Sequence, residues 1–356
     1  MPRLEVLDAV GAPFVDALER AWARGDAVLP LDPRLPGPAR AAVVAAARVD
    51  EAVERGDALV VATSGTSGQP KLAVLTHDAV AASARATSAR LGVDPATDRW
   101  LACLPLAHVG GLSVITRALV TGTSLTVHEH FDAAAVDAAS ADGCTLTSLV
   151  PAALPRIDAS GFRAILLGGQ APPSEHPAHV IATYGMTETG SGIAYDGVPL
   201  DGVELRTDDD DQILVRAPML LRAYRDGTDP KDAEGWFPTD DLGTFDGKHL
   251  LVHGRRGDLI ITGGENVWPA AVERALLTHP DVAEAAVVGL PDAEWGQRVV
   301  AVVVPSDWSA PPTLEHLRDH VRHILPAHAA PKEVQAVRSL PRTASGKLLR
   351  DDLRAR

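Results

Sequence analysis

The sequence predicts a large α/β domain followed by a small α+β domain. A chain of 356 residues is long for one domain and suits two. In the first part, apolar runs such as ILLGG at residues 165–169 alternate with stretches of helical spacing, which is typical of α/β domains. Near Gly254 the pattern changes to two strand-like apolar runs with amphipathic helices around them. We therefore divide the chain into domains at 1–254 and 255–356.

Each element of the first domain is predicted from a local pattern. Residues 1–55 are Ala-rich and predicted to be helical, with breaks at the prolines of 29–38. DALVVATSG, residues 57–65, predicts a short buried strand that runs directly into a glycine-rich loop. Residues 77–92 have helical spacing, and residues 207–216 predict a solvated turn of aspartates followed by a strand.

The second domain has a clearer pattern. Residues 269–280 predict a helix with Pro269 in its first turn, and residues 313–326 predict a second helix between an N-cap at Thr313 and a stop at Pro326. Between them, EAAVVGLPD and QRVVAVVVPSD are typical of strands. About 100 residues of this kind are enough for a compact α+β domain.

The charge and cysteine content narrow the class of protein. Acidic residues outnumber basic ones by 47 to 33, which argues against non-specific binding to nucleic acid or an anionic membrane. Cys103 and Cys144 have no metal-binding spacing and favour a reducing compartment. The first residues lack a signal-peptide core, and no apolar run reaches the ~18 residues of a spanning helix. We expect a soluble cytoplasmic protein without membrane insertion.

The glycine-rich loop TSGTSGQPK, residues 63–71, suits a phosphate. Its small residues after a strand allow backbone N–H groups and hydroxyls to close around phosphate oxygens. It fits neither the P-loop nor the dinucleotide fingerprint, because Lys71 follows a proline and Leu72 stands where Ser or Thr would be needed. A flexible Ser/Gly turn without a ligand is the alternative interpretation.

Five segments together resemble the motifs of the adenylate-forming superfamily of acyl- and aryl-CoA ligases. The glycine-rich loop is similar to its phosphate-binding signature, and the others follow in the family's order at 184–190, 235–243, 254–273 and 341–354. The resemblance implies an adenylate-forming fold with a mobile C-terminal domain that carries a catalytic lysine. It implies a reaction in which a carboxylate is joined to the α-phosphate of ATP with Mg²⁺ and then passed to the thiol of CoA.

The resemblance also assigns roles in ATP binding. A set of loop residues would enclose the phosphates: Thr63, Ser64, Gly65, Thr66, Ser67, Gly68 and Lys71. In the 184–190 motif, Tyr184 with Gly185 would hold adenine, Thr187 would contact the α-phosphate, and Glu188 would bind Mg²⁺, which typically takes few protein carboxylates. Alternatively, Glu188 is a surface carboxylate and Tyr184 packs in the core.

The later motifs complete the set and contain two departures from the family pattern. Asp241 would bind the ribose with help from Arg255, but Asp240 occupies the family's glycine position and competes for this role. Lys347 would bridge the substrate carboxylate and the phosphate. Gly257 stands at the hinge where relatives usually have Asp or Lys, and glycine is compatible with rotation there. The thiol tunnel of CoA would pass near two adjacent glycines, Gly263 and Gly264.

The segment 104–127 carries the information on the acid. It contains His108 and no acidic residue, which argues against a substrate with an α-ammonium group. The segment resembles o-succinylbenzoate–CoA ligases of menaquinone biosynthesis, in which the second carboxylate of the acid must be recognised. Arg117 could bind such a carboxylate in a bidentate manner, and a surface arginine or a structural ion pair is the alternative. The resemblance makes His108 a catalytic and substrate-binding candidate, and Gly169 and Gln170 would line the acid site.

Four functions remain open on the sequence alone. The first is an o-succinylbenzoate–CoA ligase with an aromatic dicarboxylic acid, ATP and CoA as partners. The second is a ligase of the same mechanism for another aryl or short acyl acid. The third is an adenylate-binding relative without catalysis, against which the retained motif residues argue. The fourth transfers the acyl group to a carrier protein. Many relatives dimerise, so a homodimer is also an expectation for this chain.

Overall fold

The computed structural model describes residues 1–63, 70–170, 176–342 and 348–355. The chain divides into two compact units. The first contains Met1–Leu205, Leu214–Pro238 and Gly247–Leu250, and the second contains Arg206–Ile213, Thr239–Asp246 and Leu251–Arg356. The functional division after Gly254 stays a prediction. Within the described ranges, no helix is long and apolar enough to cross a membrane.

The helices of the described residues are short to medium in length. They are α1 (Ala12–Ala23), α2 (Gly37–Ala47), α3 (His77–Leu91), α4 (Val109–Thr121), α5 (Ala133–Ala141), α6 (Pro269–Leu277), α7 (Leu314–Ile324) and α8 (Arg350–Arg354). Single 3-10 turns occur at Leu154–Arg156, Ala159–Gly161, Thr187–Thr189, Arg256–Asp258 and Ala327–Ala329.

The strands follow in chain order. The first group comprises β1 (Leu4–Leu7), β2 (Ala27–Pro30), β3 (Asp57–Ala62), β4 (Leu72–Thr76), β5 (Arg99–Ala102), β6 (Ser124–Val127), β7 (Leu146–Leu149), β8 (Ala164–Leu167), β9 (Val180–Met186), β10 (Ser191–Tyr195) and β11 (Val198–Pro199). The next group comprises β12 (Glu204–Thr207), β13 (Gln212–Arg216), β14 (Ala223–Tyr224), β15 (Phe237–Phe245) and β16 (Leu250–Arg255). The last group comprises β17 (Ile260–Thr262), β18 (Glu265–Val267), β19 (Val282–Asp292), β20 (Gly296–Pro305) and β21 (Glu333–Ala336).

The first unit contains two sheets and confirms the predicted α/β class. A seven-stranded sheet has the order β11-β10-β9-β8-β7-β5-β6, in which β9, β8, β7, β5 and β6 run parallel. Strands β7 and β8 are buried at every residue, as expected for parallel strands covered on both faces. A five-stranded sheet has the order β1-β2-β3-β4-β14.

One local prediction in this unit was wrong, and one strand was not predicted. Residues 1–55 are not helical throughout, because β1 and β2 pair in parallel around α1. All four residues of β2 are buried, so sheet pairing overrides the helix preference of the surrounding Ala-rich sequence. The strand β4 was also missed. It pairs antiparallel with β3, and the Thr63 N–H donates to the Lys71 carbonyl at 2.8 Å across the base of the glycine-rich loop.

A four-stranded sheet has the order β12-β13-β15-β16. The second unit also contains a sheet of order β18-β17-β20-β19, with β21 beside β20. Helices α6 and α7 contribute Val272, Leu276, Leu317 and Val321 to one core, and α8 contributes Leu353 to another. The α+β class, Pro269 in the first turn of α6 and the Thr313 N-cap of α7 are confirmed.

A buried carboxylate makes the first unit sensitive to acid. Burial alone would raise the pKa of Asp98, but hydrogen bonds from Arg163, the Asp94 N–H and Thr145 lower it. This stabilisation is therefore complete above the unfolded pKa near 4 and is lost as pH falls through the lower folded pKa. We expect Asp98→Asn to lower stability by about 1–3 kcal/mol at pH 7 and by less toward pH 3. Thermal unfolding across this range measures the difference, and a gap that grows in acid would contradict it.

Candidate active site

Three predicted segments follow the carboxyl ends of parallel strands in one sheet. The segment with His108 follows β5, Gly169 follows β8, and the 184–190 motif begins within β9. Ligands of α/β proteins bind at this edge of a sheet, because the loops after parallel strands meet there. Residues that are far apart in the sequence therefore converge on one region of the first unit.

The 184–190 motif forms a tightly held turn. The Met186 N–H donates to Thr189 Oγ1 at 3.0 Å, and this hydroxyl lies 2.7 Å from the Ser191 carbonyl. A Cβ at Gly185 would lie 2.2 Å from that carbonyl, so only glycine fits between β9 and β10. The turn holds Thr187 and Glu188 in a 3-10 conformation, and both residues are half-buried.

Lys71 and Glu188, which belong to different motifs, meet at Tyr224. The Tyr224 hydroxyl donates to Glu188 Oε1 at 2.9 Å, and Lys71 Nζ lies 5.4 Å from the centre of the Tyr224 ring. Tyr224 reaches this position because β14 pairs with β4, which begins just after Lys71. The Leu221 N–H also donates to the Glu188 carbonyl at 2.7 Å. A cation, a phenol and a carboxylate thus form one cluster.

The sequence interpretation missed Tyr224. The chain has only three tyrosines, and this scarcity was the one signal available. Tyr184, the predicted adenine-binding residue, lies in β9 and is half-buried. It is engaged in an interaction with other residues. The third tyrosine, Tyr195, is buried and its hydroxyl lies 2.9 Å from Thr87 Oγ1.

Arg117 lies inside the protein and not on its surface. It is only 2% exposed on α4, with its guanidinium 5.4 Å from the centre of the Trp100 ring. Its partners are hydroxyls: Nη1 donates to Ser148 Oγ at 3.3 Å, and Nη2 donates to Ser191 Oγ. Its Nε has no hydrogen-bond partner among the described residues. Burial lowers the pKa of Arg117, and the Tyr195 phenol partly opposes this.

His108 is the N-cap residue of α4 and is half-buried. Burial lowers the pKa of its imidazole, which favours the neutral form, while the nearby Asp32 carboxylate acts in the opposite direction. Asp32 is buried and bound in a bidentate manner by Arg34, with Nε–Oδ1 at 2.9 Å and Nη2–Oδ2 at 2.8 Å. Gly111, on the next turn, has its Cα against the Leu104 carbonyl, where a Cβ would lie at 2.4 Å. The entry to α4 is therefore rigid.

Gly169 and Gln170 follow β8 directly. Gly169 has φ +84°, a left-handed conformation that favours glycine, and Gln170 is engaged in an interaction. The predicted phosphate-binding residues Ser64–Gly68 and the predicted catalytic Lys347 lie outside the described residues.

In the second unit, the two adjacent aspartates Asp240 and Asp241 have different environments. Asp241 is buried, its N–H donates to Thr239 Oγ1 at 3.1 Å, and Arg255 Nε lies 3.4 Å from its Oδ1. Asp240 is exposed and has φ +58°. Aspartate tolerates this left-handed conformation better than most residues, which explains how it replaces a glycine there. The ribose-binding role of Asp241 and Arg255 stays a prediction, and the structure shows the two side chains as an ion pair.

The predicted glycines of this unit occupy different environments. Gly263 has φ +61°, and a Cβ there would lie 2.9 Å from the Trp295 ring. Gly264 has φ +83° and open space around it. Gly257 also has open space, and its carbonyl accepts a hydrogen bond from Arg354 at 3.3 Å.

A divalent metal would fit Glu188 only together with a ligand that supplies more oxygens. Among the described residues, no three His, Cys, Asp or Glu side chains form a metal-binding group. One carboxylate is sufficient for Mg²⁺ when phosphate oxygens and waters complete the octahedron. The cluster of Lys71, Tyr224 and Glu188 thus suits a metal–polyphosphate and not a metal held by protein alone.

The chain matches two protein-family models and a curated relative. The model of the family described as AMP-binding enzyme matches residues 32–214, and that of the AMP-binding enzyme C-terminal domain matches 271–347. The probable 2-succinylbenzoate–CoA ligase of Mycobacterium tuberculosis is 42% identical over 332 residues, or 86% of each chain.

Solved structures are similar over almost the whole chain. The o-succinylbenzoate CoA synthetase of Bacillus subtilis in complex with the acyl-adenylate intermediate OSB-AMP has a TM-score of 0.87 at 29% identity, covering 99% of this chain and 88% of that chain. The same synthetase in complex with ATP and magnesium ion has a TM-score of 0.86 at 29% identity, covering 98% and 88%. With its family-specific motifs, its fold and these relatives, the chain belongs to the AMP-binding enzyme family of adenylate-forming enzymes.

Proposed function

We propose that this enzyme joins o-succinylbenzoate to CoA in two steps. In the first step, a succinyl carboxylate oxygen attacks the α-phosphorus of ATP, which forms the acyl-adenylate and releases pyrophosphate. In the second step, the sulfur of CoA attacks the acyl carbon and AMP leaves. The relative from Mycobacterium tuberculosis is named for this activity, and the synthetase from Bacillus subtilis binds the corresponding acyl-adenylate.

In this proposal, the buried Arg117 determines which acid the enzyme prefers. A buried cation is costly unless an anion pairs with it, and no carboxylate of the described residues does so. Trp100 Nε1, on the neighbouring strand, is another buried donor without a partner in the described chain. An aromatic dicarboxylate can react through its succinyl end and place its ring carboxylate near the guanidinium. A monocarboxylic acid would leave Arg117 without a counter-ion.

Lys71, Glu188 and Tyr224 supply the nucleotide chemistry in this proposal. Attack of a carboxylate on a phosphate brings two anions together, so preorganised positive charge lowers the barrier. Lys71 would neutralise phosphate oxygens, and Glu188 would hold Mg²⁺, which when bound withdraws charge from the phosphates. Tyr224 would orient the Glu188 carboxylate through its hydroxyl hydrogen bond.

The remaining assignments belong to the same proposal. Thr63–Gly68 would enclose the phosphates, Tyr184 would hold adenine, Thr187 would contact the α-phosphate, and Asp241 with Arg255 would bind ribose. Lys347 would act in adenylation, and Gly257 would serve as the hinge of a mobile domain 255–356. Gly263 and Gly264 would border the thiol path. His108 would contact the acid, since its neutral imidazole lies at the rigid entry to α4.

We propose that the enzyme is a homodimer and that it acts in the cytoplasm. The cytoplasm is where ATP, CoA and reduced thiols occur together, and both cysteines are free and buried. Light scattering after gel filtration would distinguish a dimer of this 37.3 kDa chain from a monomer.

The decisive test of the reaction is pyrophosphate release with Mg·ATP. The acids compared are o-succinylbenzoate, benzoate, octanoate and none, each with and without CoA. We expect turnover with o-succinylbenzoate that depends on CoA. Turnover on another acid would keep the mechanism and reject the substrate. Binding of ATP without turnover on any acid would reject the enzyme reaction.

Tyr224→Phe tests the orientation of Glu188. Removing the hydroxyl takes away the hydrogen bond to Oε1, and loss of such outer contacts typically costs about 10–100-fold in metal affinity or activity. We expect the Mg²⁺ concentration for half-maximal pyrophosphate release to rise by about 10-fold. Tyr195→Phe is the matched control, since it removes another hydroxyl contact away from Glu188. An unchanged Mg²⁺ dependence in Tyr224→Phe would contradict the role.

A further inference from the structure

Segment 221–231 contacts Glu188 of the 184–190 turn at two points. The Leu221 N–H donates to the Glu188 carbonyl at 2.7 Å, and the Tyr224 hydroxyl donates to Glu188 Oε1 at 2.9 Å. The segment is described throughout, and its strand β14 has only two residues, which pair with β4. Strands in globular proteins usually have 3–10 residues, so this pairing alone fixes the place of Tyr224 weakly.

Arg222, between the two residues that contact Glu188, is bound by a buried carboxylate of β3. Its Nε and Nη2 donate to the two carboxylate oxygens of Asp57 at 3.0 and 3.1 Å. The side chain of Asp57 is 1% exposed and that of Arg222 is 33% exposed. The hydrogen bonds with Asp57 raise the pKa of Arg222, so the guanidinium stays charged. Such a bidentate pair fixes direction as well as distance.

The backbone around Arg222 is held as well. Its N–H donates to the Val74 carbonyl of β4 at 2.8 Å. Lys231 Nζ donates to the carbonyls of Leu221 and Arg222, at 2.9 Å each. Both the side chain and the main chain of Arg222 are therefore fixed to the sheet that carries Lys71 at the start of β4.

The other side of Tyr224 is anchored by a different kind of contact. Arg225 donates to four backbone carbonyls between residues 47 and 52, after the end of α2 and at its last residue. Arg222 is thus the charged side chain that lies between the two contacts with Glu188, and its partner is a side-chain carboxylate that a substitution can remove.

We propose that Arg222, held by Asp57, is a positioning residue that fixes the Tyr224 hydroxyl and through it orients the Glu188 carboxylate toward Mg²⁺. This inference rests on the proposed function, in which Glu188 holds the metal of Mg·ATP. Arg222 does not contact the nucleotide or the acid in this scheme. Its loss should therefore affect Mg²⁺ binding no more than loss of the Tyr224 hydroxyl itself.

The first part of the test is the Mg²⁺ concentration for half-maximal pyrophosphate release. We expect Arg222→Met to raise it about 3–10-fold, because outer contacts of metal ligands typically contribute about 10–100-fold and Arg222 acts one contact further out. Arg222→Lys keeps the charge and loses the bidentate contact, so it should lie between wild type and Arg222→Met. In a Tyr224→Phe background, Arg222→Met should add nothing.

The second part needs no bound ligand and no turnover. Hydrogen–deuterium exchange of the free protein, followed by mass spectrometry, reports the opening of peptides that cover residues 221–225. These amides should exchange faster in Arg222→Met than in wild type. The double variant Asp57→Asn/Arg222→Met should behave alike in both measurements, and it avoids leaving a buried carboxylate unpaired if the single variant folds poorly.

Arg163→Met is the matched control. Arg163 binds the buried Asp98 in the same bidentate manner, with Nε–Oδ1 at 3.0 Å and Nη2–Oδ2 at 2.7 Å, and also donates to the Leu91 carbonyl. None of these partners belongs to the 184–190 turn or to segment 221–231. This substitution should lower the melting temperature about as much as Arg222→Met and leave the Mg²⁺ dependence and the exchange of 221–225 unchanged.

The two levels of inference fail in different ways. If the wild-type protein releases no pyrophosphate, or if Tyr224→Phe and Glu188→Gln both keep the wild-type Mg²⁺ dependence, the proposed function fails at its metal site. If Tyr224→Phe shifts the Mg²⁺ dependence while Arg222→Met does not, or if the two shifts multiply, the positioning role is overturned. Equal shifts in Arg222→Met and Arg163→Met would also overturn it, since a general loss of stability would explain both.

Discussion

Arg117→Met is expected to lower kcat/KM for o-succinylbenzoate by about 10²–10³-fold and to leave the fold intact. Truncating one partner of a buried charged hydrogen-bonded pair typically costs about 2–5 kcal/mol in binding, and the expected loss lies in the middle of the corresponding fold-change range. Methionine keeps the length of the side chain beside Trp100. It also removes a buried cation that has no carboxylate partner in the described chain, so the free protein should lose little stability.

Removing the ring carboxylate from the substrate is the change that complements the substitution of Arg117. 4-Oxo-4-phenylbutanoate has the succinyl end and the ring but lacks the ring carboxylate. The wild-type enzyme should use it poorly, and Arg117→Met should use both acids about equally. If the ring carboxylate and Arg117 interact, the two losses will not add. The measurement is pyrophosphate release at varied acid concentration for all four combinations.

Arg99→Met is the matched control for this substitution. Arg99 is next to Trp100 in the chain but is partly exposed and pairs with Asp142. It should keep the preference for the dicarboxylic acid. If Arg117→Met also keeps that preference, the guanidinium has a structural role with Ser148 and Ser191, and another residue recognises the acid.

The acid-binding role of Arg117 is a prediction from the resemblance. By position alone, an arginine on an apolar helical stretch is better interpreted as a surface residue or a member of a structural ion pair. That no described carboxylate pairs with Arg117 depends on what α4, β7 and β10 bring together in space. No local pattern contains that information. Tyr224 was missed for the same reason, since its contact with Glu188 depends on the pairing of β14 with β4.

The predictions that succeeded were those in which a strong local signal and the fold agree. Helix α7 has its cap residue and its stop within a single segment, and the structure confirms both. Strands β1 and β2 have only four residues each, and their neighbours favour helix, so only tertiary pairing defines them. The different environments of Asp240 and Asp241 depend on backbone conformation and burial, which a sequence of two identical residues cannot provide.

Glu188→Gln is expected to slow adenylation by about 10²–10³-fold, a loss comparable to removing one preorganised electrostatic contact elsewhere. The substitution is almost isosteric. The amide oxygen can still accept the Tyr224 hydroxyl and the backbone contact from Leu221 is untouched, so the turn should keep its geometry. What disappears is the negative charge that Tyr224 contacts, and with it, in the proposed mechanism, the affinity for Mg²⁺.

Titration with Mg²⁺ separates two roles that this charge could have. If Glu188 holds the metal, the half-maximal Mg²⁺ concentration will rise and part of the rate will return at high Mg²⁺. Glu204→Gln, which removes an exposed carboxylate paired with Arg216, should behave as wild type. A fixed loss of rate with unchanged Mg²⁺ dependence would instead mean that Glu188 positions Lys71 through Tyr224. In that case the metal would be bound by the nucleotide alone, and the cluster would serve to orient a cation toward the phosphates.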